Sequence, residues 1–574
     1  MKRAFFLLVL AFMLTSCSFF GFDNSTPVND NFANVTKKNL PFTNLSKEFD
    51  VKGKSINTYY INDEDVPYVD ILNYFTSLDG YITCNDSLKY TFYINKNMLV
   101  LYYYSGDYLQ NYVQFQWDKN LIYFNNFSFV SQIICNNQIT NFNRSIKYIN
   151  SYSSNNNAVT FNLGAYYFDI LYWNSKCLIP FFVANILFNS QNYYNLYYTT
   201  ERYYGFYSEI DQSYNEYKTI YTNNANNQQQ TKAMRTATVN SFLFAMDYFY
   251  GLSSYKDIKG FKNYISNEDI ELLLSTNSND NHIGLKHVIY NQLDELHTRI
   301  DGRNIYSSDI NETIVNTDDC GSFLKQYYSI KKQQRTLRKN MLGEEIPPVR
   351  YYGDTAIITI DSFLTAPNSS VYDSDGNIKD TAWKYDTYFL MRYCINDIKN
   401  HNGINDVLID LSLNGGGSIA AMQRALGFIT DKVLYDYSYN TLTDNYSYYT
   451  FKVDTDGDGL YDDDAYNQYR WTVLTSINTF SAANDFVCKV KNQGLAKIIG
   501  NNTGGGMCST LPIVLADGTP ITISSNNTLR YFEKKDDKSI YYSTEEGFKP
   551  NLVIPYSDYY DDSKMVNYID EVYN

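Results

Sequence analysis

Glycine and proline are scarce in this sequence of 574 residues, at 28 and 11 positions, and only four histidines occur. So little glycine and proline excludes collagen-like repeats and broad disorder, and it makes any local cluster of glycines a place where the backbone has a particular conformational demand. Positive charge is also short: 47 Lys and Arg stand against 62 Asp and Glu, a net charge of −15. That deficit removes the electrostatic footprint on which nucleic-acid binding depends, so no nucleic-acid partner is expected. After Cys17 no apolar run is long enough to span a bilayer. The eight cysteines are widely and irregularly spaced without a CxxC pair, so free buried thiols are expected instead of structural zinc or a dense disulfide framework. Aromatic residues are abundant, with 59 Tyr and 35 Phe, which at this length supplies apolar material for several cores.

Residues 1–17, MKRAFFLLVLAFMLTSC, place Lys2 and Arg3 before an apolar run from Ala4 to Leu14. The run is too short to span a membrane and has the pattern of a secretion signal. Its end, Leu14-Thr15-Ser16-Cys17, resembles the bacterial lipobox. The resemblance implies acylation of Cys17, a membrane anchor through that residue, and a location in the cell envelope outside the cytoplasmic membrane. Residues 18–47, rich in Asn, Ser, Thr and Pro, are expected to be a tether. Across 48–230, alternating runs such as Tyr90-Thr-Phe-Tyr-Ile-Asn and Leu99-Val-Leu-Tyr-Tyr-Tyr predict an N-terminal β-rich region whose aromatics serve mainly cross-strand packing. An Asn/Gln stretch from Asn223 to Gln230 predicts a linker. Helical spacing at Val239–Leu252, Asn267–Leu274 and Leu285–Leu296 then predicts a helical segment over 236–345. From 346 to 574, strand-like runs (Thr355-Ala-Ile-Ile-Thr-Ile, Val407-Leu-Ile-Asp-Leu, Trp471-Thr-Val-Leu-Thr) alternate with helical stretches (Trp383–Ile398, Ile419–Ile429), which predicts an α/β core.

Against the low glycine content, two triplets stand out: Gly415-Gly416-Gly417 and Gly504-Gly505-Gly506. Each follows a strand-like run, and the first leads into a helix, so its backbone N–H groups are available to an anion. The phosphate-binding patterns GxxxxGK[ST] and GxGxxG are both missing, which favours a transient oxyanion over a bound phosphate. Between the triplets, Val473-Leu-Thr-Ser-Ile-Asn-Thr-Phe-Ser481-Ala-Ala-Asn-Asp-Phe reads as a strand ending in small polar residues before a helix. A serine there either caps the helix or presents its hydroxyl beside free amides, as acyl transfer requires. Asp454-Thr-Asp-Gly-Asp-Gly-Leu-Tyr-Asp462 carries oxygen ligands at calcium-loop spacing, although Ala465 stands where a bidentate glutamate is usual. It is either a structural calcium site at Asp454, Asp456, Asp458 and Asp462 or an acidic hairpin tip; no catalytic metal or other cofactor is expected.

Four blocks, DLSLNGGGS (410–418), LTSINTFSAAND (474–485), IIGNNTGGGMCS (498–509) and EEGFKPNLVIP (545–555), occur in the order of the signature blocks of the C-terminal-processing, or tail-specific, serine peptidases and the related tricorn core. The resemblance covers roughly residues 236 to 560 and implies a crotonase-like α/β (ββα superhelix) peptidase core. It further implies that Ser481 is the nucleophile of a serine endopeptidase acting on peptide or protein substrates through an acyl-enzyme. The oxyanion hole would come from Gly416, with Gly417 beside it, and Ala482. One branch of the family uses a lysine about 25 residues after the serine; Gly506 occupies that place, and no lysine lies between Lys497 and Lys534. Leu293-Asp-Glu-Leu-His297-Thr-Arg resembles the corresponding block of the histidine-using, tricorn-like branch, which makes His297 the general base. Leu296 stands where that branch has a serine, so the partner orienting the imidazole stays open: Glu545 and Glu546 are candidates by position, with Thr544 at the strict register and Asp294 and Glu295 weaker on helical geometry. Two other functions remain compatible with the sequence: an inactive relative that binds peptides or surface material, and an adhesin working through its aromatic N-terminal region.

Overall fold

Short β-branched runs flanked by helices build the C-terminal part of the chain in a computed structural model, which describes residues 34–83, 87–136, 138–154, 157–311, 317–461, 465–535 and 538–574. The signal segment with Cys17, most of the expected tether, Cys84 and Asp462 lie outside the described residues. A six-stranded sheet runs in the order Val349–Tyr352, Thr355–Thr359, Asp406–Asp410, Arg470–Thr475, Lys497–Gly500 and Leu552–Val553. The first pair is antiparallel and the others are parallel. Its central strands are near-continuous apolar runs because both faces are covered. Ile358, Ile409, Val473 and Ile498 face the helices Thr387–Lys399, Ile419–Gly427 and Ala482–Gln493. Ile357, Leu408, Leu474 and Ile499 face Met565 and Ile569 of the last helix, Asp562–Tyr573.

Both glycine triplets and Ser481 lie past the C-terminal ends of three adjacent parallel strands, Asp406–Asp410, Arg470–Thr475 and Lys497–Gly500. Open α/β sheets place their ligand crevices at such strand ends, so the three separated blocks converge on one spot.

A second, seven-stranded sheet ties distant parts of the chain together. Arg299–Ile300 pairs with Pro520–Lys535, which pairs with Leu434–Asn440; that strand pairs with Asn445–Val453, which pairs with Ile146–Ser153. One sheet thus contains strands from the N-terminal region, the helical segment and the α/β part. The largest core cluster likewise combines residues from Leu40 to Leu324 with Met507 to Ile523. The expected boundaries near residues 230 and 345 are therefore not boundaries of packing. The helical segment carries helices at Lys232–Phe249, Asn267–Leu274 and Ser322–Leu342, but 287–293 is a wider π-type turn. The described end of the expected tether is also ordered: Val35–Asn44 is a strand between Ser55–Ile61 and Tyr203–Tyr207. Only Leu40 and Phe42 of that strand are buried, which leaves too weak an alternation to see in sequence. None of the six described cysteines forms a disulfide, and five of them are buried.

The N-terminal region is clamped to the α/β part by a buried charge cluster. Arg144 donates to Asp386 Oδ2 at 3.1 Å, Ala366 O and Asn368 Oδ1. Arg424 lies 3.9 Å from the same carboxylate and donates to the carbonyls of Phe142 and Arg144. Asp386 also caps the helix Thr387–Lys399 through the Tyr388 amide. Two buried guanidinium groups thus share one counter-ion. Asp386→Ala is expected to destabilise the protein by about 3–5 kcal/mol, read as a fall in urea midpoint, because it leaves both charges uncompensated; a loss under about 1 kcal/mol would show that these charges are not held as a cluster.

Candidate active site

The turn after Arg470–Thr475 puts Ser481 at φ +57° and ψ −124°, a conformation that side-chain-bearing residues rarely adopt. Tertiary hydrogen bonds hold it there: Ser481 N–H to Gly505 O at 2.9 Å, and Phe480 N–H to Asn414 O at 3.1 Å. The two glycine-bearing loops thus grip the serine turn from either side. Gly416 permits this approach, since a Cβ at 416 would lie 2.7 Å from Ser481 Cβ. Ser481 occupies the N-cap of the helix Ala482–Gln493, yet its side chain makes no capping hydrogen bond. Ser418, at the start of the neighbouring helix, does cap, accepting from Ala421 N–H. Ser481 therefore does not do the structural work that a serine at this position ordinarily does, and its hydroxyl is free for chemistry.

His297 reaches the same place by a different route. The chain turns at Asp294, which has φ +46° and accepts from the Phe323 and Leu324 amides with its carboxylate. The segment then enters the strand Arg299–Ile300, paired with Thr522 and Ile521. Glu295 fixes the intervening bend by accepting from the backbone N–H groups of His297 at 2.6 Å and Thr298 at 2.9 Å, and from Ser524 Oγ. The imidazole packs on the Phe480 ring, with centroids 4.7 Å apart. His297 and Ser481 line one cavity of about 740 Å³, with Arg299, Gly415, Gly417 and Cys508 among its walls. No hydrogen bond joins the imidazole to the serine hydroxyl in this conformation. Burial, reinforced by the nearby Arg299 charge, depresses the His297 pKa to about 3, so the ring is neutral at physiological pH.

The remaining candidates are placed less uniformly. Ala482 N–H opens a helix and has no intrahelical acceptor, and Gly417 lines the cavity. The Gly416 N–H, by contrast, donates to Asn414 Oδ1 at 2.8 Å, so that amide is already committed within the loop. Neither glutamate near residue 545 reaches the imidazole. Glu545 accepts from Met507 N–H at 2.8 Å, and Glu546 is exposed; both line a different cavity of about 1100 Å³ beside Glu295. Thr544 donates to Leu529 O. Asp294 and Glu295 do not lie on a helix, contrary to expectation, and both serve the backbone instead of the ring.

A lysine base has no room. Gly506, at φ +88°, would place a Cβ 2.5 Å from the Phe480 ring that supports His297. Lys489, on the helix that follows Ser481, is buried in ion pairs with Asp485 and Asp436. The other histidines are used elsewhere: His287 pairs with Asp269 at 2.8 Å, His401 stacks on Tyr351, and His282 does not line the Ser481 cavity. Sequence reasoning missed Phe480 as the support of the imidazole. It also missed Tyr193, Tyr207, Ser208 and Glu209, which bring the N-terminal region into the cavity wall; nothing in their local patterns signals this. In the acidic loop, Asp454, Asp456 and Asp458 have carboxylate oxygens within 4.8 Å of one another. No helix among the described residues is long and apolar enough to cross a membrane.

Two groups, His297 and Glu545, give opposite pH dependences of stability. The folded state keeps His297 neutral while the unfolded chain takes up a proton below pH 6.5, so this contribution is lost as pH falls from about 6.5 toward about 3. Burial, with Glu295 as a like charge, raises Glu545 to about 7 although Met507 N–H opposes it, so its contribution is lost as pH rises from 4.5 through 7. Urea titrations across pH 4 to 8 are expected to show His297→Gln gaining stability relative to wild type on acidification, and Glu545→Gln gaining on alkalinisation. Stability differences independent of pH would contradict this assignment.

No curated protein matches the chain. A protein of Parabacteroides merdae ATCC 43184 is similar in structure at 17% identity, covering 56% of this chain and 89% of its own, with a TM-score of 0.37. A lipoprotein of Streptococcus agalactiae aligns at 13% identity over 59% of this chain and 96% of its own, TM-score 0.34. Mature CPAF aligns at 11% identity over 59% and 97%, TM-score 0.35. Residues 354–553 match Peptidase family S41, a serine peptidase family. The match identifies residues 354–553 as an S41 peptidase domain, the domain of the C-terminal processing proteases.

Proposed function

We propose that this protein is a secreted, lipid-anchored serine endopeptidase of the cell envelope, with a crotonase-like core of the histidine-using branch. Acylated Cys17 anchors it to the membrane, and peptides or proteins are its substrates. The observation that carries the catalytic part is the serine that declines its cap: Ser481 sits at a strained turn with a free hydroxyl, in one cavity with a neutral imidazole. His297 takes the Ser481 hydroxyl proton as Oγ attacks the substrate carbonyl, forming the C–O bond. The resulting oxyanion is met by backbone amides at Ala482 and Gly417, with Gly416 joining only if Asn414 releases it. As the C–N bond breaks, the imidazolium returns its proton to the departing amine. Water then hydrolyses the acyl-enzyme by the same base.

A fluorophosphonate probe is expected to label wild-type protein and not Ser481→Ala. His297→Ala is expected to lower kcat by about 10²–10⁴-fold while its circular dichroism stays that of wild type. A second reading, an inactive peptide- or surface-binding relative, is favoured by one observation: among the described residues no carboxylate holds the His297 ring. Failure of wild type to be labelled across pH and calcium concentrations supports that reading and overturns the first.

The acidic loop is proposed to hold a structural calcium ion between Asp454, Asp456 and Asp458, where three carboxylates otherwise repel. Calcium is then expected to raise Tm in wild type but not in Asp456→Ala/Asp458→Ala. An unchanged Tm on calcium addition identifies the loop as an acidic hairpin tip.

A further inference from the structure

The cavity that holds Ser481 and His297 is lined by few charged groups, and these come from two parts of the chain. Glu209, from the N-terminal region, and Arg299, two residues after His297, face each other across its wall as an ion pair. Each keeps about a third of its side-chain surface exposed, 32% and 34% respectively, so both are open to whatever occupies the cavity.

Three of the five N–H groups of the Arg299 guanidinium have partners within the protein. Its Nε meets Asp301 Oδ1 at 2.9 Å, one Nη meets Glu209, and the other donates to the His297 carbonyl at 3.4 Å. Asp301 is buried behind it, with its second carboxylate oxygen accepting from Thr522 Oγ1. One guanidinium thus meets two carboxylates, Asp301 and Glu209, which leaves one negative charge in excess at the cavity wall. Only one Glu209 oxygen, Oε2, is used by Arg299. Asp211, two residues further on, adds a charge of the same sign close enough to feel Arg299. The other titratable groups on these walls, Tyr193, Tyr207, Cys508 and His297, are uncharged at neutral pH and offset nothing.

We propose that Glu209 is a specificity-determining residue that selects polypeptides presenting a lysine or arginine side chain to the cavity beside Ser481. The N-terminal region thereby supplies the wall that reads substrate charge, while the S41 domain supplies the serine. A substrate ammonium or guanidinium pairs with the unoccupied Glu209 oxygen in surroundings that already carry a negative excess. A substrate carboxylate would compete with Glu209 for Arg299 and would meet like charge from Glu209, Asp301 and Asp211. Because the pair is partly solvated, the effect is modest in energy and sensitive to salt.

This inference deepens the proposed function, resting on Ser481 as the reacting group, but it can be tested without turnover. Ser481→Ala protein is titrated with fluorescent peptides of neutral sequence bearing a single central Lys, Gln or Glu, followed by anisotropy. The Lys peptide is expected to bind about fivefold tighter than the Glu peptide at low salt, with Gln between them. In Glu209→Gln/Ser481→Ala protein, which keeps an acceptor for Arg299, the Lys-to-Glu ratio is expected to collapse toward one. Equal binding of the three peptides, a preference for Glu, or a Lys preference unaffected by Glu209→Gln overturns the inference. If wild type cleaves none of the peptides while the Lys preference persists and depends on Glu209, the charge assignment stands and the endopeptidase reading falls.

Discussion

Ser481 is held with a positive φ by two loops that belong to other strands, and the rest of the site is arranged around that constraint. A serine with unconstrained backbone at this position would turn its hydroxyl onto the helix amides, as Ser418 does one strand away. The hydrogen bonds from Ser481 N–H to Gly505 O and from Phe480 N–H to Asn414 O prevent that rotation. Gly416 is the steric condition for them, because a side chain there would strike the serine Cβ. Phe480, fixed by the same turn, then presents its ring to His297 and fills the space a side chain at Gly506 would need. The proposed nucleophile, the support of the His297 ring and the exclusion of a side chain at position 506 thus follow from a single turn.

His297, the proposed base, is arranged on different principles. Its backbone is pinned by a buried glutamate and by strand pairing, while its ring rests on an aromatic face without a polar partner among the described residues. Burial keeps the imidazole neutral, which is the protonation state a general base requires, but a depressed pKa also makes it a weak proton acceptor until a developing negative charge lies beside it. In the proposed mechanism this favours proton transfer only when an oxyanion forms next to the ring, the kind of differential stabilisation on which catalysis rests.

The fold makes the N-terminal region part of this site. A strand from residues 146–153 continues the sheet that carries Arg299, and the Arg144, Arg424 and Asp386 cluster locks the same region to the helices of the S41 domain. Because Tyr207, Ser208 and Glu209 arrive on the cavity wall through this packing, the region shapes what the serine meets.

The sequence by itself determined the local elements and the chemistry-bearing blocks. Continuous apolar runs such as Val407-Leu-Ile mark buried parallel strands, since period and burial are local properties of such a strand. Glycine triplets in a chain poor in glycine, and a serine at a strand-to-helix corner, were likewise visible, because tight turns restrict residue type position by position. Tertiary structure decided which of these residues meet. The strand at Val35–Asn44 takes one of its two partners from about 160 residues away, and Phe480 approaches His297 across nearly two hundred residues. It also decided that Glu545 serves Met507 in a separate cavity, that Gly416 N–H is taken by Asn414, and that Glu295 holds a backbone. The physical reason is that hydrogen-bond partners and burial are properties of a packed environment; a carboxylate three residues from one place in the chain has no preferred neighbour until the sheets that carry it have closed.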